Sequence, residues 1–210
     1  KKLQKEFAKK ISWSLTLEEA MKKSKETGKP IFGYFTRSYS PWPPCNSLEG
    51  GPLLQDWWTK AAKDFIPYLN ITSQLDDQPD KGMLSKKGGR GFPHCVLMDS
   101  EGEVLKSLRP SDEKAFTAGM KPVSLLVNAR AAVAKKAKKK QAKINKQNLA
   151  LIEAVFKPNE GDFKKLKKLV KKKKLNKEIR ILYVAMVKTW PIRKECDKAS
   201  AAMEKAGRDR

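Results

Sequence analysis

The sequence predicts a mixed α/β domain, a central sheet flanked by helices, followed by an all-helical basic C-terminal region. Two observations carry this. From Leu17 to Met120 the apolar pattern switches between strand and helix periods in the order β-α-β-α-β-β-α, which a mixed sheet with helices on both faces satisfies. Beyond Pro122 the apolar stripes all have helical spacing, and the charge changes with the pattern. Residues 1–120 hold 19 Lys/Arg against 15 Asp/Glu, a net of +4, whereas 121–210 hold 27 against 8, a net of +19. The expected domains are therefore 1–120 and 121–210, with the boundary near Gly119–Pro122.

The elements follow in order. Lys1 to Lys10 reads as a basic leader, mobile or a frayed helix. Ile11-Ser12-Trp13 reads as a short edge strand anchored by Trp13. Thr16 caps a helix with Glu18 and Glu19 in its first turn, where the macrodipole favours acids. Leu17, Ala20, Met21 and Ser24 form its buried stripe, and Gly28 ends it. Ile31 begins a strand of apolar and aromatic residues bounded by Gly28, Pro30 and the later prolines. Leu48 to Phe65 is helical, with Gly50-Gly51-Pro52 breaking or delaying its first turn. Trp57 and Trp58 point about 100° apart on that helix, so one faces the core and one lies at its boundary, the alternative being an aromatic platform beside the Cys45 loop.

Ile66 to Ile71 alternates as a strand with its proline near the start. Asp76 to Gly91 is a polar, Gly-rich crossover. Phe92–Met98 and Val104–Leu108 form an antiparallel pair through the turn Asp99-Ser100-Glu101-Gly102. Ser111, with Asp112 and Glu113, caps the last helix of the domain. Beyond it, Val123–Lys146 is an Ala/Lys-rich helix. Further stripes at Leu149/Ile152/Val155/Phe156, Phe163/Leu166/Leu169/Val170 and Ile179/Leu182/Tyr183/Met186, with a fifth helix from Pro191 containing Cys196, Ala199 and Met203, predict a small bundle.

The chemistry concentrates in two stretches, Ile31 to Cys45 and Gly91-Phe92-Pro93. Cys45 lies between a strand end and a helix start, where unpaired backbone N–H groups stabilise a thiolate. That is the geometry of a redox centre.

From Leu17 to Met120 the chain resembles the thioredoxin-like family. Gly28-Lys29-Pro30-Ile31-Phe32 is similar to the family's entry into its central strand. Trp42-Pro43-Pro44-Cys45 resembles what remains of its Trp-Cys-Gly-Pro-Cys loop. Gly91-Phe92-Pro93, followed by Val96 to Val104, resembles its cis-proline strand and hairpin. The resemblance implies a thioredoxin-like sheet, a cis Pro93 against the Cys45 loop, and Cys45, Pro93 and Trp42 as the residues of a catalytic face. The loop departs from the family pattern at its centre. Trp42 stands where the attacking cysteine belongs, so dithiol exchange within the loop is not available. The acid that the family often buries beneath its cysteines is expected to be missing, with Tyr34 or Thr36 in its place.

Cys95 follows Pro93 by two residues on the neighbouring strand and is a possible thiol partner for Cys45, or an ordinary core cysteine. Cys45, His94 and Cys95 offer soft ligands, but adjacent strand residues point to opposite faces, so no metal site is expected. No cofactor is expected either. Three cysteines cannot all pair with one another, and the count fits an exported chain with one disulfide or a cytosolic one with free thiols. The first residue is Lys1 rather than Met, so removal of a leader, and with it export, is the expectation over a cytoplasmic location. No apolar run reaches the ~18–20 residues of a membrane span.

The other strong signal is lysine. Lys135, Lys136, Lys138, Lys139 and Lys140 form one cluster; Lys164, Lys165, Lys167, Lys168, Lys171, Lys172, Lys173 and Lys174 form another. Such runs are commonly solvated faces, but this surplus is self-repelling and favours an anionic partner. The sequence thus points to a non-classical thioredoxin-like protein, acting through the Cys45 thiol on a protein thiol or binding a peptide at that face without redox chemistry. The alternative is a non-enzymatic protein whose basic helices bind nucleic acid, polysaccharide or an anionic membrane surface.

Overall fold

A computed structural model describes residues 2–73, 78–134 and 138–156, together with isolated helical positions between 180 and 203. The chain forms two compact units, Lys1–Ala131 and Ala132–Arg210. The charge step at Gly119–Pro122 falls inside a helix of the first unit, so the division observed lies about a dozen residues later than the sequence pattern placed it.

The first unit opens with α1 (Lys2–Lys10). Its order comes from Phe7, which is buried and packs edge-on against the rings of Trp13 and Tyr34. In place of an edge strand, only Ser14 pairs, as an isolated bridge to Tyr68. α2 (Leu17–Thr27) is capped by the Thr16 hydroxyl, which accepts the Glu19 N–H, and is closed by Gly28 in the left-handed region.

β1 (Ile31–Arg37) is buried along nearly its whole length, as expected of a strand covered on both faces. α3 (Pro43–Glu49) follows, then a short 3-10 turn at Pro52–Leu54, α4 (Asp56–Ala61) and a second turn at Ala62–Asp64. β2 (Ile66–Thr72), α5 (Met83–Lys86), β3 (His94–Met98) and β4 (Val104–Ser107) come next. α6 (Glu113–Ala134) contains Pro122 in its interior. Its first turn is capped by Asp112, whose Oδ1 accepts the Ala115 N–H, rather than by Ser111.

The sheet order is β2-β1-β3-β4, with β1 and β2 parallel and the other pairs antiparallel. One face carries Phe32, which meets Trp58, Phe65 and Phe116 at ring separations of 5.1 to 5.7 Å. The other face packs Phe35, Tyr68, Val96 and Met98 with Leu17 and Ala20 of α2. Trp58 is fully buried and Trp57 lies at the boundary.

In the second unit α7 (Lys139–Phe156) begins sixteen residues later than an unbroken helix from Val123 would. The Asn145 side-chain amide donates to the Ala132 carbonyl. The expected third helix at 163–174 lies outside the described residues. No helix among the described residues is long and apolar enough to cross a membrane.

Candidate functional site

The site forms where β1 ends. Two prolines occupy the first two positions of α3, where missing N–H groups forfeit no helical bond. Cys45 therefore sits within the first turn of the helix rather than in a loop ahead of it. Trp42 is the N-cap residue, and its carbonyl accepts the N–H groups of Cys45 and Asn46, both at 3.0 Å.

Trp42 also reaches outward. Its indole N–H donates to the Phe92 carbonyl at 2.7 Å, and the Phe92–Pro93 peptide bond is cis. The Arg37 guanidinium lies over the Trp42 ring, 4.4 Å from its centroid, and over the Tyr39 ring at 4.8 Å. Arg109, just beyond β4, donates to the Pro44 carbonyl at 3.4 Å. Three segments distant in sequence are thereby joined around Trp42: the start of α3, the Phe92–Pro93 turn and the chain after β4.

Beneath this rim lies Cys45, only 1% exposed. One helical turn further along, Glu49 is completely buried. Tyr34 and Thr36 alternate on β1 and so project from the same face, and both hydroxyls donate to Glu49 Oε1 at 2.7 Å. Among the described residues no donor reaches Oε2. An acid is thus buried beneath the cysteine after all. It comes from α3, not from β1, and the two β1 residues expected to replace it are its hydrogen-bond donors.

Burial pushes the Cys45 thiol above its ordinary value; the Glu49 charge adds to the rise, while the Thr36 hydroxyl and Arg37 oppose it. The expected thiolate stabilisation is not found. The helix-start amides that would provide it are already engaged by the Trp42 carbonyl, and water is excluded.

Cys95 pairs with Tyr34 in the β1–β3 register and shares its face of the sheet. Burial pushes its thiol up to about 12, with Arg109 opposing and Cys45 reinforcing the shift. Cys45 and Cys95 are both free thiols. His94 pairs with Phe35 on the opposite face, its ring against the Phe35 ring at 5.6 Å and its Nε2 3.1 Å from the Lys87 carbonyl. Cys45, His94 and Cys95 are not brought together as a ligand set.

What decides the fold is a parallel β1–β2 pair with β3 antiparallel to β1 and entered through a cis-proline, all beside the helix that carries Cys45. The fold is thioredoxin-like. No family model matches the chain, and no curated protein does. Among solved structures it is similar to the DsbH oxidoreductase, at 22% identity over 54% of this chain and 81% of that one, with a TM-score of 0.43. It is also similar to a thioredoxin from Thermus thermophilus (16% identity, 60% of this chain and 98% of that one, TM-score 0.43). A thioredoxin-fold protein from Helicobacter pylori matches at 11% identity, over 73% of this chain and 98% of that one, with a TM-score of 0.37. The likeness is one of fold.

Within this thioredoxin-like frame, sequence reasoning named Trp42, Cys45, Pro93 and Cys95 but passed over Glu49, Arg37, Tyr39 and Arg109. Glu49 carried a signal, since Cys45-x-x-x-Glu49 places both side chains on one helical face. Of the lysine clusters, Lys138 and Lys139 are exposed and Lys140 lies in α7. Lys135, Lys136 and Lys164 to Lys174 lie outside the described residues.

Proposed function

We propose that this chain is a thioredoxin-like binding protein that engages a peptide segment of a partner at the Trp42–Pro93 face, with thiol–disulfide exchange silent in the native state. The carrying observation is a contrast in exposure. Cys45 is 1% exposed and protonated, while the aromatic residues above it, Trp42 and Tyr39, are 39% and 42% exposed. Attack on a disulfide needs an accessible thiolate and, for turnover, a second thiol to release the mixed disulfide. The α3 turn offers neither: the position three residues before Cys45 is Trp42. Exposed Trp, Tyr and Arg side chains in one patch are the residue types that anchor protein interfaces.

Insulin reduction with dithiothreitol as electron source tests this reading. No acceleration above the dithiothreitol background is expected. Turnover that disappears in Cys45→Ser would overturn it and make Cys45 a catalytic thiol, with Cys95 the first residue to examine as its partner.

A second activity is favoured by the charge surplus of 121–210, where 27 basic residues stand against 8 acidic ones. This region binds an anionic polymer or surface through its lysines, independently of the Cys45 face.

A further inference from the structure

Two of the chain's three cysteines reach one interior space from different layers of the fold. Cys95 lies on β3, between β1 and β4, and its cross-strand neighbour on the same face is Tyr34. The Tyr34 hydroxyl donates to Glu49, which follows Cys45 by one helical turn on the same face of α3. A second tie runs along the other side. The Leu108 N–H donates to the Cys95 carbonyl at 3.0 Å, and the next residue, Arg109, donates to the carbonyl of Pro44, which precedes Cys45. Cys45 and Cys95 therefore meet between α3 and the sheet, 1% and 6% exposed, and both are free thiols. We infer that Cys45 and Cys95 are a redox pair, whose intramolecular disulfide clamps the first turn of α3 onto β3 beneath Trp42.

The electrostatics agree with this placement. Cys45 raises the Cys95 thiol, and Thr36, the residue after Tyr34 on that face of β1, acts on Cys45. The oxidant is a low-molecular-weight disulfide. Cys45 gives up its proton and attacks one sulfur of the oxidant, breaking that S–S bond and releasing one small thiolate. Cys95, deprotonated in turn, attacks the Cys45 sulfur of the mixed disulfide and releases the second. The two protons end on the two small thiols, and two electrons pass from the protein sulfurs to the oxidant. Burial keeps both thiols protonated, so the first attack waits on local opening of the seven-residue α3. The pair responds slowly and stoichiometrically to an oxidising environment and gives the native chain no turnover. Closing the bond holds the two Cα atoms about 4.4–6.8 Å apart. Trp42 is carried along, because its carbonyl receives the Cys45 and Asn46 N–H groups and its indole is bonded to Phe92, three residues before Cys95. Oxidation thus fixes the aromatic face that a partner meets. That consequence rests on the peptide-binding reading of the face, whereas the bond itself does not.

The test is a redox titration of the full chain carrying Cys196→Ser, in mixtures of reduced and oxidised glutathione, beside the same chain unfolded in urea. Remaining thiols are trapped by alkylation and counted by mass spectrometry. The expected result is that both thiols disappear together with no glutathione retained, and that a tryptic digest joins the Cys45 and Cys95 peptides. Cys45→Ser and Cys95→Ser should each abolish this paired loss. The folded chain should hold the bond at least about tenfold more strongly than the unfolded chain, a shift of about 30 mV. Amide exchange at Cys45 and Asn46 should slow on oxidation. A glutathione adduct retained on Cys45 beside a reduced Cys95 overturns the pairing, as does a bond no stronger in the folded chain than in the unfolded one. A bond that forms without slowing that exchange overturns the clamp. Insulin turnover by the native chain would instead count against silent exchange, and the titration is read independently of it.

Discussion

Tyr34 donates its phenolic O–H to Glu49 Oε1 at 2.7 Å in a part of the interior sealed from solvent. Thr36 donates to the same oxygen, so the carboxylate is the shared acceptor for two β1 hydroxyls. Glu49→Ala leaves both hydroxyls without an acceptor and opens a cavity, which should cost about 2–4 kcal/mol in urea unfolding. Glu49→Gln keeps an oxygen in place and should cost clearly less. It also removes the charge that raises the Cys45 thiol, so the Cys45 pKa, followed by the Cβ chemical shift in NMR titration, should fall. An unmoved Cys45 titration in Glu49→Gln would contradict the coupling.

Trp42→Cys places a second thiol three residues before Cys45 at the helix N-cap, a position that favours a thiolate. The variant should show dithiothreitol-dependent insulin reduction above the level of the native chain, and Trp42→Cys with Cys45→Ser should lose that gain. Absence of any gain would mean that burial of Cys45 alone is enough to prevent exchange.

The buried thiols fix the alkaline behaviour. In the unfolded chain a cysteine ionises near pH 8.5, whereas burial pushes Cys95 up to about 12 and raises Cys45 too. Above about pH 9 the folded state therefore holds protons that the unfolded state has released. The thiol contribution is fully present below the unfolded value and is lost as pH rises toward the folded one, by at most about 1.4 kcal/mol per pH unit for each thiol. Urea midpoints should be level from pH 7 to 8 and decline by pH 9.5, less steeply in Cys95→Ala. A level profile up to pH 10 in the native chain would refute this.

For the lysine region, binding to heparin or DNA should weaken steeply with salt. Six phosphate contacts on duplex DNA correspond to a loss of roughly a thousandfold between 50 and 200 mM. Replacing Lys135, Lys136, Lys138, Lys139 and Lys140 by Gln should flatten the log–log salt slope. A slope unchanged by that replacement would assign these lysines to solvated surface.

The architecture was legible because it is written in periodicity. The apolar and aromatic run of Ile31–Arg37 reads as a covered strand and Ile66–Thr72 as an alternating one, and Thr16 and Gly28 bracket α2 with local chemistry. The site was legible where one residue breaks a pattern, as Trp42 does ahead of Cys45. It was not legible where tertiary context overrides local preference. Two prolines at 43 and 44 resemble a loop but start a helix, which moves Cys45 inside α3 and turns Glu49 inward. Phe7 in a basic segment becomes an anchor only because Trp13 and Tyr34 meet it from elsewhere in the chain. Arg37 and Arg109 escaped notice because they lie on two segments that only folding joins.

Both outer edges of the sheet are blunt. The free side of β2 is occupied by Ser14, whose N–H donates to Pro67 at 2.8 Å and whose carbonyl accepts from Leu69 at 2.9 Å. On the far side β4 is four residues long, carries Lys106, and meets β3 with a register irregularity at Leu97/Met98. A neighbouring copy therefore finds no long, flat row of backbone groups to extend. Were the lysine-rich region to gather copies along a polyanion, they would be crowded without being templated into cross-molecule sheets.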